Sequence, residues 1–259
     1  MCPSSKALFL LPFLVGCSTV AETNRSQLTL YSEPQMVAMG AQAYADATGE
    51  HSLILGTAQA AMVQSVGKRI ADASGRTYEW EFKLLDAPDV VNAFALPGGK
   101  IAVYSGLLKV APDADSLAAV VGHEVAHVIA QHGNERMSQS SIAAVGLTAS
   151  QILLEWNDAS SDTKNVTMGL LGLATDAGVL KPYSRLHESE ADEIGLKYLV
   201  RAGYDPNAAP ALWERMAELS PSGSFNLFAT HPDPLDRAER LRELIPSVVA
   251  SVEAERKRN

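Results

Sequence analysis

The sequence predicts an α+β fold that is mostly helical and contains one small antiparallel sheet. Apolar residues recur at helical spacing before residue 75 and after residue 113. Between Tyr78 and Tyr104 the pattern changes to an alternation of apolar and polar residues, which is typical of strands. The 259 residues, 47% hydrophobic and 20% charged, have the composition of an ordinary folded protein. We therefore expect a single main domain, over residues 33–246.

The N-terminus has the pattern of an export signal. Lys6 precedes an apolar stretch over 7–15, which is too short to remain as a membrane span. The stretch ends in Leu-Val-Gly-Cys at Cys17, which resembles the bacterial lipoprotein signal, where cleavage leaves a lipid-bearing cysteine at the new N-terminus. We predict a signal peptide over 1–16 and a lipid on Cys17. The alternative is an ordinary secretory signal that is cut further along the chain.

The cysteines and the residues after them favour an anchored envelope protein. Cys2 leaves with the signal, so the mature chain has no second cysteine with which Cys17 could form an internal disulfide. Ser18 stands where a lipoprotein retained at the inner membrane typically carries Asp, so the predicted location is the periplasm, at the outer membrane. Residues 17–32 are mostly polar and are predicted to be a tether between the lipid and the folded body.

The elements up to the sheet follow from periodicity and from helix-ending residues. Helices are predicted over 33–47, before Gly49, and over 57–73, before Gly75. Three strands follow, the first around Trp80 and the last two over 90–96 and 100–104. Pro-Gly-Gly between the last two strands predicts a hairpin turn.

The rest of the chain is predicted to be helical. A helix capped by Asp113 or Asp115 is expected over 116–131, before Gly133. The Ala-, Gly-, Leu- and Ser-rich segment 138–180 lacks an unbroken apolar run of spanning length. One interpretation is that this segment forms helical core or an amphipathic hairpin. The other is that it forms a mobile flap over the active site or a surface that contacts lipid or a membrane protein. Helices over 184–202, 206–219 and 234–244 follow, and 247–259 is expected to be a frayed tail.

The charge balance argues against nucleic-acid binding. The formal net charge is −9. Phosphate contacts need clustered Lys and Arg, and such a cluster occurs here as Arg256-Lys257-Arg258 at the end of the chain. We therefore expect no nucleic-acid partner.

The predicted helix over 116–131 carries the motif His123-Glu124-Val125-Ala126-His127. Residues four apart lie on the same face of a helix, so both histidines can bind one ion. Zinc is the usual ion in this motif, and Glu124 then lies beside the metal, where it can take a proton from the attacking water. We predict one Zn²⁺ per chain.

A catalytic zinc needs a third protein ligand. The stretch Ser-Arg-Leu-His-Glu-Ser-Glu-Ala-Asp, residues 184–192, places several suitable side chains in one predicted helix. From chemistry alone His187, Glu188 and Glu190 all remain candidates.

The HEVAH motif, followed about sixty residues later by SRLHESEAD, resembles the HtpX-like and CAAX-prenyl-protease-like family of membrane-associated gluzincin peptidases. The resemblance implies that Glu188 is the third zinc ligand and that Asp192 orients a zinc histidine. It gives His187 and Glu190 no role. His132 is also expected to have none.

Two further segments are similar to that family. The strand and turn Asn-Ala-Phe-Ala-Leu-Pro-Gly-Gly implies that a substrate backbone pairs against Asn92 and Ala93. The segment Thr-His-Pro implies that His231 stabilises the oxyanion or binds zinc in a closed state, with Arg237 as a supporting residue. The transmembrane helices and the C-terminal repeat domain of other members are not expected here.

The predicted function is zinc-dependent cleavage of peptide bonds in misfolded or stalled envelope proteins, with outer-membrane proteins and their assembly machinery as candidate partners. One alternative is a zinc-containing chaperone or binding module, which Glu124 argues against because a structural site needs no base. Another is hydrolysis of a non-peptide substrate such as a cell-wall crosslink.

Overall fold

The structure, a computed structural model, describes residues 16–143, 184–219 and 234–258. Along these residues two short strands come first, then two helices, three more strands and a run of helices. The strands are β1 (Cys17–Thr19), β2 (Ser26–Leu28), β3 (Glu81–Leu85), β4 (Ala93–Leu96) and β5 (Lys100–Tyr104). The helices are α1 (Glu33–Gly49), α2 (Ala58–Ser74), α3 (Ala114–Ile129), α4 (132–143), α5 (Arg185–Ala202), α6 (Ala208–Leu219) and α7 (Pro234–Arg258), with a 3₁₀ turn at Ser105–Lys109. The predicted α+β, mostly helical class is confirmed.

The main sheet has three strands in the order β3-β5-β4. β4 and β5 form the predicted antiparallel hairpin, with Ala93 opposite Val103. β3 runs parallel to β5, so the sheet is mixed and not wholly antiparallel. The helices that pack on β3 and β5 allow this arrangement, because the direction of a strand is set by its connections and not by its own alternation of residues.

The first two helices form where the periodicity predicted them. Thr57 caps α2 by accepting a hydrogen bond from the Ala60 N–H. Gly75 ends α2 with a φ of 68°, a left-handed conformation that glycine adopts without steric cost. These two signals are local, which is why the sequence located α2 to within one residue at each end.

The motif-bearing helix ends earlier than predicted. α3 begins after its cap Asp113 and finishes at Ile129, and Gln131 then adopts a φ of 54°. The chain starts a second helix at once, so Gly133 lies inside α4 and does not stop a helix. Every residue of α3 from Ser116 to Val128 is buried. A helix buried all round in this way belongs to the centre of the core.

Two glycines let α3 and α5 approach closely. A Cβ built on Gly195 of α5 would lie 2.9 Å from the backbone nitrogen of His123, and one built on Gly122 would lie 2.7 Å from the side chain of Leu199. Both distances are too short for a side chain. The contact therefore brings the backbone of α5 against α3 beside His123, so the charged first turns of α5 face the motif.

The C-terminal helix is longer than predicted. α7 continues through Pro246 to Arg258, so the predicted frayed tail over 247–259 is helical as far as it is described. Val248 and Val252 are buried, and Glu255 pairs with Arg201 at 3.0 Å. The burial of these side chains stabilises a segment whose polar sequence suggested fraying.

The predicted tether is a hairpin packed on the body. β1 pairs antiparallel with β2, and Val20 between them is buried. Glu22 lies 3.2 Å from Lys197 and 3.1 Å from Arg201 on α5. Polarity alone suggested a loose segment, but Glu22, Thr23 and Arg25 have partners on the helices.

Several predictions concern residues outside the described ranges. The signal peptide up to residue 15, His231, and the segment 138–180 from residue 144 onward are among them. Within the described ranges, no helix combines the length and apolarity that crossing a membrane requires.

Candidate metal centre and active site

Three ligand groups predicted from the sequence meet in the core. His123, His127 and Glu188 are all buried, and each offers an atom within 4.8 Å of the others. The two imidazole Nε2 atoms are 3.0 Å apart. Glu188 reaches both rings, with Oε2 at 3.3 Å from Nε2 of His123 and Oε1 at 3.4 Å from Nε2 of His127.

These separations fit one tetrahedral ion. Zinc binds imidazole nitrogen and carboxylate oxygen at about 2.0–2.2 Å, so neighbouring ligand atoms around it stand about 3.3 Å apart. Two histidines and one glutamate are also a ligand set of catalytic zinc, which leaves a fourth position for water or substrate. The cluster thus has the composition and spacing of an open metal site.

Glu124 follows His123 on α3 and is 3% exposed. A glutamate is rarely this buried without a functional or structural partner. It directly follows one of the three clustered ligands in the chain, and in a His-Glu-x-x-His motif this glutamate is the general base beside the metal. It is therefore available as a base beside a metal without being one of the three clustered ligands.

Asp192 and Arg237 support the His123 side. Asp192 lies one turn after Glu188 on α5, and its Oδ1 is 3.1 Å from Nδ1 of His123. Arg237 on α7 bridges the two carboxylates, at 2.5 Å from Asp192 and 2.9 Å from Glu188, and its guanidinium lies 3.7 Å from the ring centroid of Trp213. Burial alone would raise the pKa of the Asp192 carboxyl. The charge of Arg237 and the hydrogen bonds with His123 and Arg237 together outweigh burial and hold this pKa below its usual value.

The His127 side is supported by a residue to which the sequence gave no role. His132 is fully buried at the start of α4, and its Nδ1 lies 2.8 Å from Nδ1 of His127. Its other nitrogen, Nε2, lies 2.9 Å from Oε2 of Glu190. Burial lowers the pKa of His132 to about 4, so the ring is neutral near pH 7.

Glu190 in turn receives several hydrogen bonds. Thr23 donates to one carboxylate oxygen, and Arg25 donates to the other at 2.7 Å. Burial would raise the pKa of Glu190, but the hydrogen bonds from His132, Thr23 and Arg25 outweigh it and hold the pKa at about 2. The carboxyl is therefore ionised at neutral pH.

The same arginine binds a second acid. Nη2 of Arg25 lies 2.8 Å from Glu135, which also accepts from Nε2 of His187 at 2.9 Å. The sequence did not predict this network, because an isolated glutamate or histidine most often lies on the protein surface. The available signal was the density of ionisable residues just after the motif and around Glu188.

A cleft runs from the metal cluster toward the hairpin turn. It is open to solvent. Its lining includes His127 and Gln131 from the motif region, Ala95 from β4, and Pro97 from the turn. Asn92 and Ala93 lie at the start of β4, where Tyr104 donates to the Asn92 carbonyl at 3.1 Å. Their predicted role in substrate binding stays a prediction.

A helix-borne His-Glu-x-x-His motif joined by a glutamate from a second helix defines the gluzincin type of metallopeptidase site. In agreement with this class, a model of peptidase family M48 matches residues 57–245, well over half of the chain. The chain belongs to peptidase family M48. The prediction of an enzyme of the metalloendopeptidase class is confirmed at the level of the family.

Two kinds of relative illustrate the similarity. The mitochondrial metalloendopeptidase OMA1 of Schizosaccharomyces pombe is 36% identical over 188 residues, which cover 71% of this chain and 52% of the yeast protein. The beta-barrel assembly-enhancing protease of Escherichia coli K12 is 29% identical over 252 residues, which cover 93% of this chain and 51% of that protein. The chain thus spans about half the length of these relatives. The finer HtpX-like and CAAX-prenyl-protease-like assignment stays a prediction.

Proposed function

We propose that this protein is a zinc-dependent endopeptidase of the bacterial cell envelope that cleaves misfolded or stalled envelope proteins. The observation that carries the proposal is the buried cluster of His123, His127 and Glu188, whose ligand atoms have the spacing of one tetrahedral ion. The family membership supports the reaction class, because M48 is a peptidase family.

The residues of the cluster have separate tasks in this reaction. A bound zinc ion supplies Lewis-acid polarisation of the scissile carbonyl and lowers the pKa of a nearby water. Glu124 accepts the proton of that water and later delivers it to the leaving amine. Asp192 holds His123 through Nδ1, which leaves Nε2 for the metal. His231, outside the described residues, is proposed either to stabilise the oxyanion or to close the site.

Peptide recognition is proposed to occur at the edge of β4. Among the described strands β4 pairs with β5 alone, so its other edge is available to an extended chain. Because the Asn92 carbonyl faces β5, alternation directs the backbone of Ala93 and Ala95 to the outer edge. The Asn92 side chain accepts from the Ala93 N–H at 3.0 Å, and a substrate carbonyl would replace that acceptor.

The location and partners are proposed from a different set of observations. Cys17 is exposed at the start of β1, so a lipid can be attached without disturbing the core. The similarity to a beta-barrel assembly-enhancing protease extends over 93% of the chain. We place the enzyme in the periplasm, lipid-anchored to the outer membrane, with outer-membrane proteins and their assembly machinery as candidate partners. Within M48 we assign it to the HtpX-like, lipoprotein branch.

The test pairs metal content with cleavage for purified residues 18–259. Wild type should carry one zinc and cut casein. Glu124→Gln should keep the zinc and lose at least about a hundredfold in kcat, since general acid–base catalysis contributes about 10²–10⁴. Glu188→Ala should lose zinc affinity.

Glu193→Gln is the matched control, because Glu193 lies on the same helix but is exposed. It should change neither property. Wild-type cleavage by Glu124→Gln, or a wild type that binds no zinc, would reject the proposed function and favour a binding module for unfolded envelope proteins.

A further inference from the structure

Behind the metal cluster lies a second buried group of ionisable side chains that the proposed reaction does not use. It joins α4, α5 and the N-terminal hairpin. His132 and His187 stack with ring centroids 4.5 Å apart, and each donates toward a glutamate, Glu190 and Glu135 respectively. Arg25 of the hairpin lies between the two glutamates and binds both.

If His127 binds a metal, the donor and the acceptor of each hydrogen bond in this group are determined. The Nε2 atom of His127 faces Glu188 and His123, so its lone pair serves the ion and its proton lies on Nδ1. That proton is donated to Nδ1 of His132 at 2.8 Å. His132 must then carry its own proton on Nε2, where it is donated to Glu190 at 2.9 Å.

This chain of hydrogen bonds ends at the N-terminal hairpin. Glu190 accepts from Arg25 at 2.7 Å and from Thr23, so the carboxylate that fixes the tautomer of His132 is itself fixed by residues 23 and 25. The Arg25 side chain is 17% exposed and also lies 2.8 Å from Glu135. An arginine held by two carboxylates has little freedom to leave either one.

We propose that His132, Glu190 and Arg25 are positioning residues that set the tautomer and ring orientation of the metal ligand His127. The N-terminal hairpin thereby contributes to metal binding, in addition to carrying the predicted lipid on Cys17. The proposal rests on the proposed function, because it assigns these residues to the zinc of that site. It extends that function by giving the hairpin a role in metal affinity.

A purely structural role is the competing explanation. Buried ion networks contribute little net stability compared with apolar side chains of the same volume, since the charges lose their hydration. Partners of metal-binding histidines, in contrast, typically change metal affinity about 10- to 100-fold when removed. Zinc affinity therefore separates the two explanations, whereas a melting temperature alone does not.

The experiment measures the zinc dissociation constant by competition with a chromophoric chelator. His132→Phe keeps an aromatic ring against His187 and removes the hydrogen bond to His127. It should weaken zinc binding about 10- to 100-fold. Glu190 and Arg25 are one and two hydrogen bonds further from His127 than His132 is. Glu190→Gln and Arg25→Gln should therefore weaken zinc binding less, by about threefold to tenfold, than the loss of a direct partner does.

A second readout uses cobalt in place of zinc. The visible absorption of bound Co²⁺ reports the geometry of its ligands. A changed orientation of His127 should shift this spectrum in His132→Phe and Arg25→Gln, with circular dichroism confirming that both variants are folded. If His132→Phe does not fold, Arg25→Gln and Glu190→Gln carry the test.

Glu22→Gln is the matched control. Glu22 belongs to the same hairpin and pairs with Lys197 and Arg201, so the variant loosens the hairpin without touching Glu190. Its zinc affinity should stay within about twofold of wild type, well below the effect expected of a metal-ligand partner. Equal weakening by Glu22→Gln and Arg25→Gln would overturn the proposal, because general docking of the hairpin would then explain both.

The outcomes keep the two proposals apart. If wild type binds zinc and Glu124→Gln abolishes cleavage, but His132→Phe and Arg25→Gln bind zinc like wild type, the proposed function stands and the positioning role is rejected. If wild type binds no zinc, both fail.

Discussion

The two histidines of the metal centre stand four residues apart on one helix, yet different chemistry supports each. Nδ1 of His123 lies 3.1 Å from the carboxylate of Asp192, which Arg237 also binds. Nδ1 of His127 lies 2.8 Å from the neutral ring of His132, and the nearest carboxylate in that direction, Glu190, is one imidazole further away.

The difference predicts unequal consequences of mutation. Asp192 balances a buried arginine, so its removal leaves a charge in the core as well as an unsupported ligand. Removal of His132 leaves the Glu190 carboxylate still bound by Arg25 and Thr23, so the main loss is that of hydrogen bonds, at about 1–3 kcal/mol. Both sides should therefore matter for metal binding, but the His123 side should matter more for folding.

The largest expected effect is on the His123 side. Asp192→Asn should lower the free energy of unfolding by about 3–5 kcal/mol, the usual range for breaking a buried ion pair. Chemical denaturation measures it, with Glu193→Gln on the exposed face of α5 as control, expected within about 0.5 kcal/mol of wild type. A loss below that of His132→Phe would contradict the asymmetry.

Zinc should enlarge the difference between the two sides, because the stability that it adds rises with the logarithm of its affinity. At about 100 times the dissociation constant, a ligand specific for the folded state adds about 2.7 kcal/mol. A tenfold weaker His132→Phe would gain about 1.3 kcal/mol less at the same free zinc concentration. Thermal unfolding with and without zinc measures the gain. An identical zinc-induced rise in Tm for His132→Phe and wild type would show that His127 needs no partner.

A change at the start of α3 should lower stability without altering the metal-binding side of either histidine. Asp113 accepts from the Ser116 N–H at 2.8 Å, and Asp113→Ala should cost about 1 kcal/mol of stability by removing the cap. Asp113→Asn keeps an acceptor and should cost less. Zinc affinity should not change in either variant, because the cap lies nearly three turns before His123. A weakened zinc site in Asp113→Ala would mean that the whole helix, and not its two side partners, sets the ligand geometry.

The smallest effect is the pH dependence of this cap. The backbone hydrogen bond from Ser116 lowers the pKa of Asp113 from its ordinary value of 3.8. The stabilising contribution is therefore complete above pH 3.8 and is lost as the pH falls through the lower folded-state pKa. Unfolding curves from pH 5 to pH 2 should show a shallower decline in Asp113→Asn. A steeper decline than in wild type would contradict the assignment.

The sequence could predict the features that depend on local signals and on ligand chemistry. His123, His127 and Glu188 follow from ligand chemistry and from a family resemblance, and helix spacing brings the first two together without any knowledge of the fold. The fold class and most helix ends were predictable for similar reasons, because caps such as Thr57 and Gly75 are local signals.

The rest depends on contacts between distant segments. Arg25 is 165 residues from Glu190 in sequence, and the hairpin's polar composition indicated a tether. Likewise, the tail over 247–259 looked frayed, but burial of Val248 and Val252 keeps it helical. The sequence predicted a helix end at residue 131, before Gly133, whereas α3 ends at Ile129 and α4 begins at His132. The position of His132 beside His127 could therefore not be anticipated.

The most direct test of the metal centre is anomalous diffraction at the zinc absorption edge from crystals grown with zinc. We predict one peak within about 2.0–2.2 Å of Nε2 of His123, Nε2 of His127 and a carboxylate oxygen of Glu188. Nδ1 of His127 should remain within hydrogen-bond distance of His132 in the same crystals. A zinc peak elsewhere, or no peak between these three side chains, would contradict the assignment.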